Sequence, residues 1–228
     1  MAHFGAAQYA IVWTGSAALL LTLVGLFVRG RQRVCRSFTI YIAAVLLPQL
    51  LYSTWPDRFY NRDFWILTEV THCILKFAIA LEVGFLVLRR FPGASRTGRW
   101  AGLFVAWTIF VAILALPAEN PDYYAIAGKL LPRILNGTIW LFVALAGVTL
   151  WYRLPLHPLH KSIMLGFVPY LLVFSVAMTA LDSFGWQHRV YTTYLHTLAY
   201  LALEIYWAWA AWRPDPSGVS RATIPVGR

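Results

Sequence analysis

Acidic residues are scarce in this chain: 9 Asp and Glu stand against 19 Lys and Arg, and charged residues make up only 12% of its 228 positions. A soluble domain carries about 25%. Cysteine is as sparse. Cys35 and Cys73 are the only two, too few for a disulfide framework, and they read as free thiols packed as small hydrophobes. The HExxH pattern of zinc hydrolases and the glycine patterns of Rossmann and P-loop sites are absent, which removes the common signatures of metalloprotease and nucleotide chemistry. No polar segment between apolar stretches is long enough to fold by itself. What fills the chain instead is apolar: 60% hydrophobic residues, 16% aromatic, mean hydropathy +0.62. That composition belongs to an integral membrane protein.

About 20 apolar residues cross a bilayer as a helix. Seven stretches qualify, at 8–28, 36–55, 64–88, 100–117, 130–151, 162–182 and 190–212. Turn formers separate them, among them Trp55-Pro56-Asp57, Phe91-Pro92-Gly93 and the run from Pro117 to Pro121. The expected architecture is all-α, a polytopic membrane protein built as one bundle of seven transmembrane helices over residues 1–212. A Pro-, Gly- and Ser-rich tail follows over 213–228. The first stretch lacks a positively charged leader and precedes a whole bundle, so it reads as a retained helix and not a cleaved signal.

The basic residues orient this bundle. Loops one, three and five and the tail carry 13 Lys and Arg against the single acid Asp215; the opposite loops carry five basic residues (Arg58, Arg62, Lys129, Arg133, Arg189) and five acids. The positive-inside rule then places the N-terminus outside and the C-terminus in the cytoplasm, in a plasma or bacterial inner membrane. It also accounts for the net charge of +10 without any nucleic-acid partner. Such a basic face attracts the anionic lipids of the bilayer, and it offers a docking surface to a partner membrane or cytoplasmic protein.

Ionisable residues inside a span cost about 2.5–3.5 kcal/mol each on insertion scales, so their placement carries information. Span three holds Glu69, His72, Lys76 and Glu82; span seven holds His196 and Glu204. At 100° per residue, Glu69, His72 and Lys76 share one face of their helix, and His196, Tyr200 and Glu204 share a face of theirs. Glu82 points the other way, near the cytoplasmic end. A rise of 1.5 Å per residue puts His72 and His196 at about 12 and 9 Å from the outer surface, and Lys76 and Glu204 at about 18 and 21 Å. The matched depths predict a Lys76–Glu204 ion pair, and two histidines facing one outward-opening cavity with Glu69 at its mouth. Asn136 on span five and Asp182 on span six add polar groups to the same half. The expected pocket is therefore Glu69, His72, Lys76, Asn136, Asp182, His196, Tyr200 and Glu204.

Four readings of that constellation stand open. It could be a hydrogen-bonded network that sets helix register, a small-ligand pocket, a haem b or divalent-metal site on His72 and His196, or a path for protons or ions. A retinal-type Schiff base would want a lysine on the last span, which has none. The segment from Glu82-Val83 through Leu88-Arg89-Arg90-Phe91-Pro92-Gly93, followed by Gly98-Arg99-Trp100, resembles a stretch in uncharacterised bacterial seven-helix membrane proteins. The layout also resembles the membrane input modules of bacterial sensor kinases. That resemblance implies sensing or ligand binding, and without an output domain in this chain a signal would pass to a separate partner. The expectation is a non-enzymatic, sensor-like or small-ligand-binding membrane protein. The alternative is a haem- or metal-carrying electron-transfer subunit, or a structural subunit, of a larger membrane complex.

Overall fold

The computed structural model describes residues 6–59, 61–90, 100, 107, 131–151, 156–184 and 189–214; within these, side chains are not described at 6–8, 88–90, 131–136, 178, 181–184 and 189. Every element among the described residues is helical. Helix α1 spans Ala6–Val28, α2 Arg36–Thr54, α3 Pro56–Phe59, α4 Arg62–Arg90, α5 Leu131–Trp151, α6 Pro158–Phe184 and α7 Arg189–Trp212. Four of them, over Tyr9–Val28, Arg36–Thr54, Arg62–Val87 and Pro158–Ala177, are long and apolar enough to cross a membrane, and a shorter apolar stretch covers Gly137–Trp151. Over its described residues the chain is thus all-helical, with four helices that mark it as a membrane protein.

The boundaries follow local chemistry. Gly30 closes α1 in the left-handed region at φ 64°, which glycine enters without steric cost, and its N–H donates to the Phe27 carbonyl at 3.0 Å. The Trp55-Pro56-Asp57 turn winds into the single turn α3, with Pro56 at its first position, where no N–H is needed. Helix α6 begins at Pro158 for the same reason, four residues before the apolar stretch that marks it in the sequence. His157 serves as its cap, its Nδ1 accepting the Leu159 N–H at 3.1 Å.

The six long helices close into a ring, each packed on the next: α1, α2, α4, α5, α6, α7 and back to α1. Side-chain pairs give the directions. Tyr52 meets Phe64 and Ser37 meets Glu82, so α2 and α4 are antiparallel. Gly15 faces Glu204 while Gly25 faces Trp212, so α1 and α7 are parallel. Gly166 faces Leu203 and Trp207 while Tyr170 meets His196 and Tyr200, so α6 and α7 are antiparallel. We call the two ends of the bundle N-terminal, where α1, α4 and α7 begin, and C-terminal, where they finish.

Outside, the ring is apolar: Leu20, Phe27, Leu47, Ile74, Leu165 and Val176 are all exposed. Inside, its C-terminal half is filled by an aromatic plug. Phe38, Tyr41 and Phe167 set their edges against Trp207 with centroids 5.2, 6.0 and 4.8 Å away, and Phe142 stacks on Phe167 at 5.0 Å. A soluble protein would put its exposed apolar surface inside; this distribution suits a hydrocarbon surround.

Polar side chains tie the C-terminal ends together. Buried Arg31 donates through Nη1 to the carbonyls of Ala210 and Ala211, each at 3.1 Å, and through Nη2 to that of Arg213 at 2.7 Å. A cation there also suits the helix dipole of α7. Glu82, on α4, accepts the first free N–H groups of α2, from Arg36 at 3.0 Å and Ser37 at 2.8 Å. The Cys35 thiol lies against the same carboxylate, Sγ to Oε2 3.5 Å. Burial first, and the Glu82 charge second, push this thiol above its ordinary value. A group whose folded pKa is raised contributes stability below its unfolded pKa and loses it as pH rises beyond. Unfolding free energy should therefore fall from about pH 8.5 upward, and fall less in Cys35→Ala. Alkylation of Cys35 by iodoacetamide should stay slow at pH 8 in the folded protein and become fast once it is unfolded.

A candidate ligand site in the bundle interior

Above the aromatic plug, four helices bring polar groups to one level. Counting 1.5 Å per residue from the N-terminal ends, Tyr41 on α2, Lys76 on α4 and Tyr170 on α6 all lie about 20 Å deep, with Tyr200 on α7 slightly nearer. Lys76 is 7% exposed, Tyr41 1% and Tyr170 6%; Glu69, His72, His196 and Tyr200 are half-buried. The hydroxyls of Tyr41 and Tyr200 share a hydrogen bond at 3.4 Å. Tyr170 Oη bonds His196 Nε2 at 2.9 Å. His72 donates from Nε2 to the Ala44 carbonyl at 3.2 Å, an acceptor-only partner that assigns the proton to that nitrogen. Aromatic faces wall the site: Phe174 meets His196 edge-on at 4.8 Å, and the rings of Tyr170 and Tyr200 are 5.2 Å apart.

Lys76 is the unusual member. Its electrostatic neighbours are Tyr41, Tyr170, Glu69 and Cys73, yet it makes no hydrogen bond or ion pair among the described residues. Glu204, its expected partner, is elsewhere. Helices α4 and α7 are not adjacent in the ring, and the Glu204 carboxylate turns to α1, where Gly15 leaves a notch beside Gln49. There Glu204 is 2% exposed and its Oε1 has no hydrogen-bond partner among the described residues. The predicted Lys76–Glu204 ion pair is not formed, because matched depth did not come with a shared direction.

Of the expected pocket, the structure brings Lys76, His196 and Tyr200 together with Tyr41 and Tyr170, places Glu69 and His72 a turn or two nearer the N-terminal end on the Lys76 face of α4, and sends Glu204 to α1. The side chains of Asn136 and Asp182 lie outside the described residues. Tyr41 and Tyr170 are the residues sequence reasoning missed. Their signal was available, since a tyrosine about 20 Å deep is too far in to anchor at an interface. The two imidazoles proposed as metal or haem ligands each have a protein partner, and among the described residues no group of three or more His, Cys, Asp or Glu is placed to hold a metal ion.

No protein-family model, no curated protein and no solved structure matches this chain. The resemblance to sensor-kinase input modules therefore rests on the helical layout alone; in the segment likened to uncharacterised bacterial seven-helix proteins, Glu82 has the structural task of capping α2.

Proposed function

We propose that this chain is a seven-span membrane protein, N-terminus outside, that binds a small ligand in a pocket opening to the outer face, and that its role is sensor-like rather than enzymatic. The observation that carries the pocket is Lys76, a buried cation without a partner, set among tyrosine and histidine side chains from α2, α6 and α7. A network serving only to fix helix register would pair its most expensive member, as buried charges ordinarily are. The aromatic plug fills the C-terminal half below the cluster, so access comes from the N-terminal end, past Glu69.

Two further observations support the seventh span. Helices α4 and α5 are adjacent in the ring, which leaves the seventh span to lie between them in sequence. Trp100 and Trp107, both helical, lie with their rings 5.8 Å from Phe85 and 5.7 Å from Phe77, the order expected of a segment running back along α4. With the basic loops in the cytoplasm, a ligand signal would pass to a partner protein at the C-terminal end. The haem or metal reading has no comparable support, because both imidazoles are engaged by protein groups.

The test is directional thiol labelling in a background with Cys35 and Cys73 replaced by alanine. A membrane-impermeant reagent added to intact cells should modify Glu69→Cys, and should modify Arg213→Cys only after the membrane is opened. The reverse pattern overturns the orientation. A Glu69→Cys thiol that resists the reagent from both sides overturns the pocket.

A further inference from the structure

The cluster around Lys76 leaves hydrogen-bond donors unused among the described residues. Tyr41 and Tyr200 bring two hydroxyl protons to one shared bond, which uses one of them. The second has no acceptor among the described residues. Lys76 adds three N–H donors as an ammonium, or two as a neutral amine, and none is used. The acceptor of His72 is the Ala44 carbonyl, and Tyr170 and His196 share one hydrogen bond. Glu204, the deepest carboxylate on α7, is turned to α1. Glu69 is seven residues toward the N-terminal end on the same face of α4 and makes no hydrogen bond or ion pair with Lys76 among the described residues, so the ammonium has no negatively charged acceptor within bonding distance.

We infer that Lys76 and the Tyr41–Tyr200 hydroxyl pair receive the carboxylate of a small organic anion. This rests on the pocket reading above and names its ligand class. A carboxylate offers about four lone-pair sites, enough for the ammonium and the spare hydroxyl together. Charge-assisted hydrogen bonds of this kind are roughly twice as strong as neutral ones, and the ligand would relieve the cost of an isolated buried cation. The aromatic walls suit an apolar body behind the carboxylate.

That body has two sources. A compact aromatic acid would enter from water at the N-terminal end. A fatty acid would enter from the bilayer, for Tyr170 also lines an apolar groove of about 500 Å³ between α6 and α7, open on the lipid side and bounded by Leu165, Gly166, Pro169, Ala202 and Tyr206.

Melting of the purified full-length protein in detergent, followed by tryptophan fluorescence, separates these outcomes. Benzoate should raise the midpoint by about 5 °C or more at 100 times its Kd, against sodium chloride at the same ionic strength, and the neutral isostere benzamide should not. Lys76→Met should abolish the benzoate shift and Lys76→Arg should keep part of it. Lys76→Met alone should melt no lower than the native protein, since an unpartnered buried cation gives way to an apolar chain of similar length, so a lost shift is not a folding failure. Laurate replaces benzoate in a parallel series. A laurate shift that Ala202→Phe removes, with the benzoate shift intact, assigns the ligand to the bilayer; both shifts surviving in that variant assign it to water. Equal shifts with benzamide and benzoate, or a benzoate shift that survives Lys76→Met, overturn the anion and leave a ligand pocket. No shift with either carboxylate, in protein whose Glu69→Cys variant is labelled from outside, overturns this inference alone. Failure of that labelling overturns both.

Discussion

Arg31→Ala should be the most damaging single substitution outside the interior cluster, costing about 3 kcal/mol or more. Three carbonyls at the C-terminal end of α7 accept from this one guanidinium, and Arg31 is only 4% exposed. Hydrogen bonds to charged groups contribute about 1.5–3 kcal/mol each, and groups left buried without a partner cost their full desolvation. The melting midpoint should fall by about 6–12 °C at 2–4 °C per kcal/mol. Lysine cannot restore it, because a point charge does not span three acceptors as the planar fork does. Arg33→Ala, two residues on and exposed, is the control and should stay within about 0.5 kcal/mol. Equal effects of the two substitutions would show that α7 is held by packing alone.

The placement of this arginine explains why the ring closes where it does. Helices α1 and α7 lie at opposite ends of the chain, so no short loop holds them side by side. They are joined instead by Arg31, by Arg29 donating to the Trp212 carbonyl at 3.1 Å, and by Trp212 donating to the Leu21 carbonyl at 3.0 Å. His160 makes a matching tie from α6, its Nε2 3.0 Å from the Val34 carbonyl. All these contacts lie at the C-terminal end. The N-terminal half, where Glu69, His72, His196 and Tyr200 are half-buried, has its polar groups around an interior cluster instead. The side-chain ties between α1 and α7 are thus concentrated at one end of the bundle.

The long helices were legible in the sequence because bilayer thickness dictates the length of an apolar helix, and four of them are long and apolar enough to cross a membrane. Six of the seven expected stretches coincide with α1, α2, α4, α5, α6 and α7 to within a few residues; the fourth, 100–117, lies outside the described residues apart from Trp100 and Trp107. Neighbour order was not legible, because lipid-facing and ring-facing apolar residues look alike along a sequence. Lys76 and Glu204 show the consequence. Their depths followed from helical rise, but whether they meet depends on which helices touch, and α1 and α6 flank α7 while α4 packs elsewhere. Glu82 was expected to point away from the Lys76 face, yet it bonds α2 as His72 does, and its role at the start of α2 required knowing that α2 and α4 are antiparallel neighbours. The partner of His72 is a backbone carbonyl, which no residue type announces.

Gly15 gives the second large effect, and it tests where Glu204 lies. A Cβ added at Gly15 would collide with Glu204 Oε2 and come within 3.0 Å of Gln49 Nε2, whose amide is already committed to the Val12 carbonyl at 3.0 Å. Small residues permit such close approach of membrane helices, and here the space is given to a carboxylate. Gly15→Ala should destabilise the protein by about 1–3 kcal/mol, the usual cost of overpacking. With Glu204→Ala already in place, the same change should cost much less, because the colliding carboxylate is gone and only the Gln49 contact remains. The double-mutant cycle should therefore report a coupling of about 1–2 kcal/mol, within the range for residues in contact. Lys76→Met combined with Glu204→Ala should be additive to within about 0.5 kcal/mol. Additivity for Gly15 with Glu204, and coupling for Lys76 with Glu204, would reverse the assignment and return the carboxylate to the lysine.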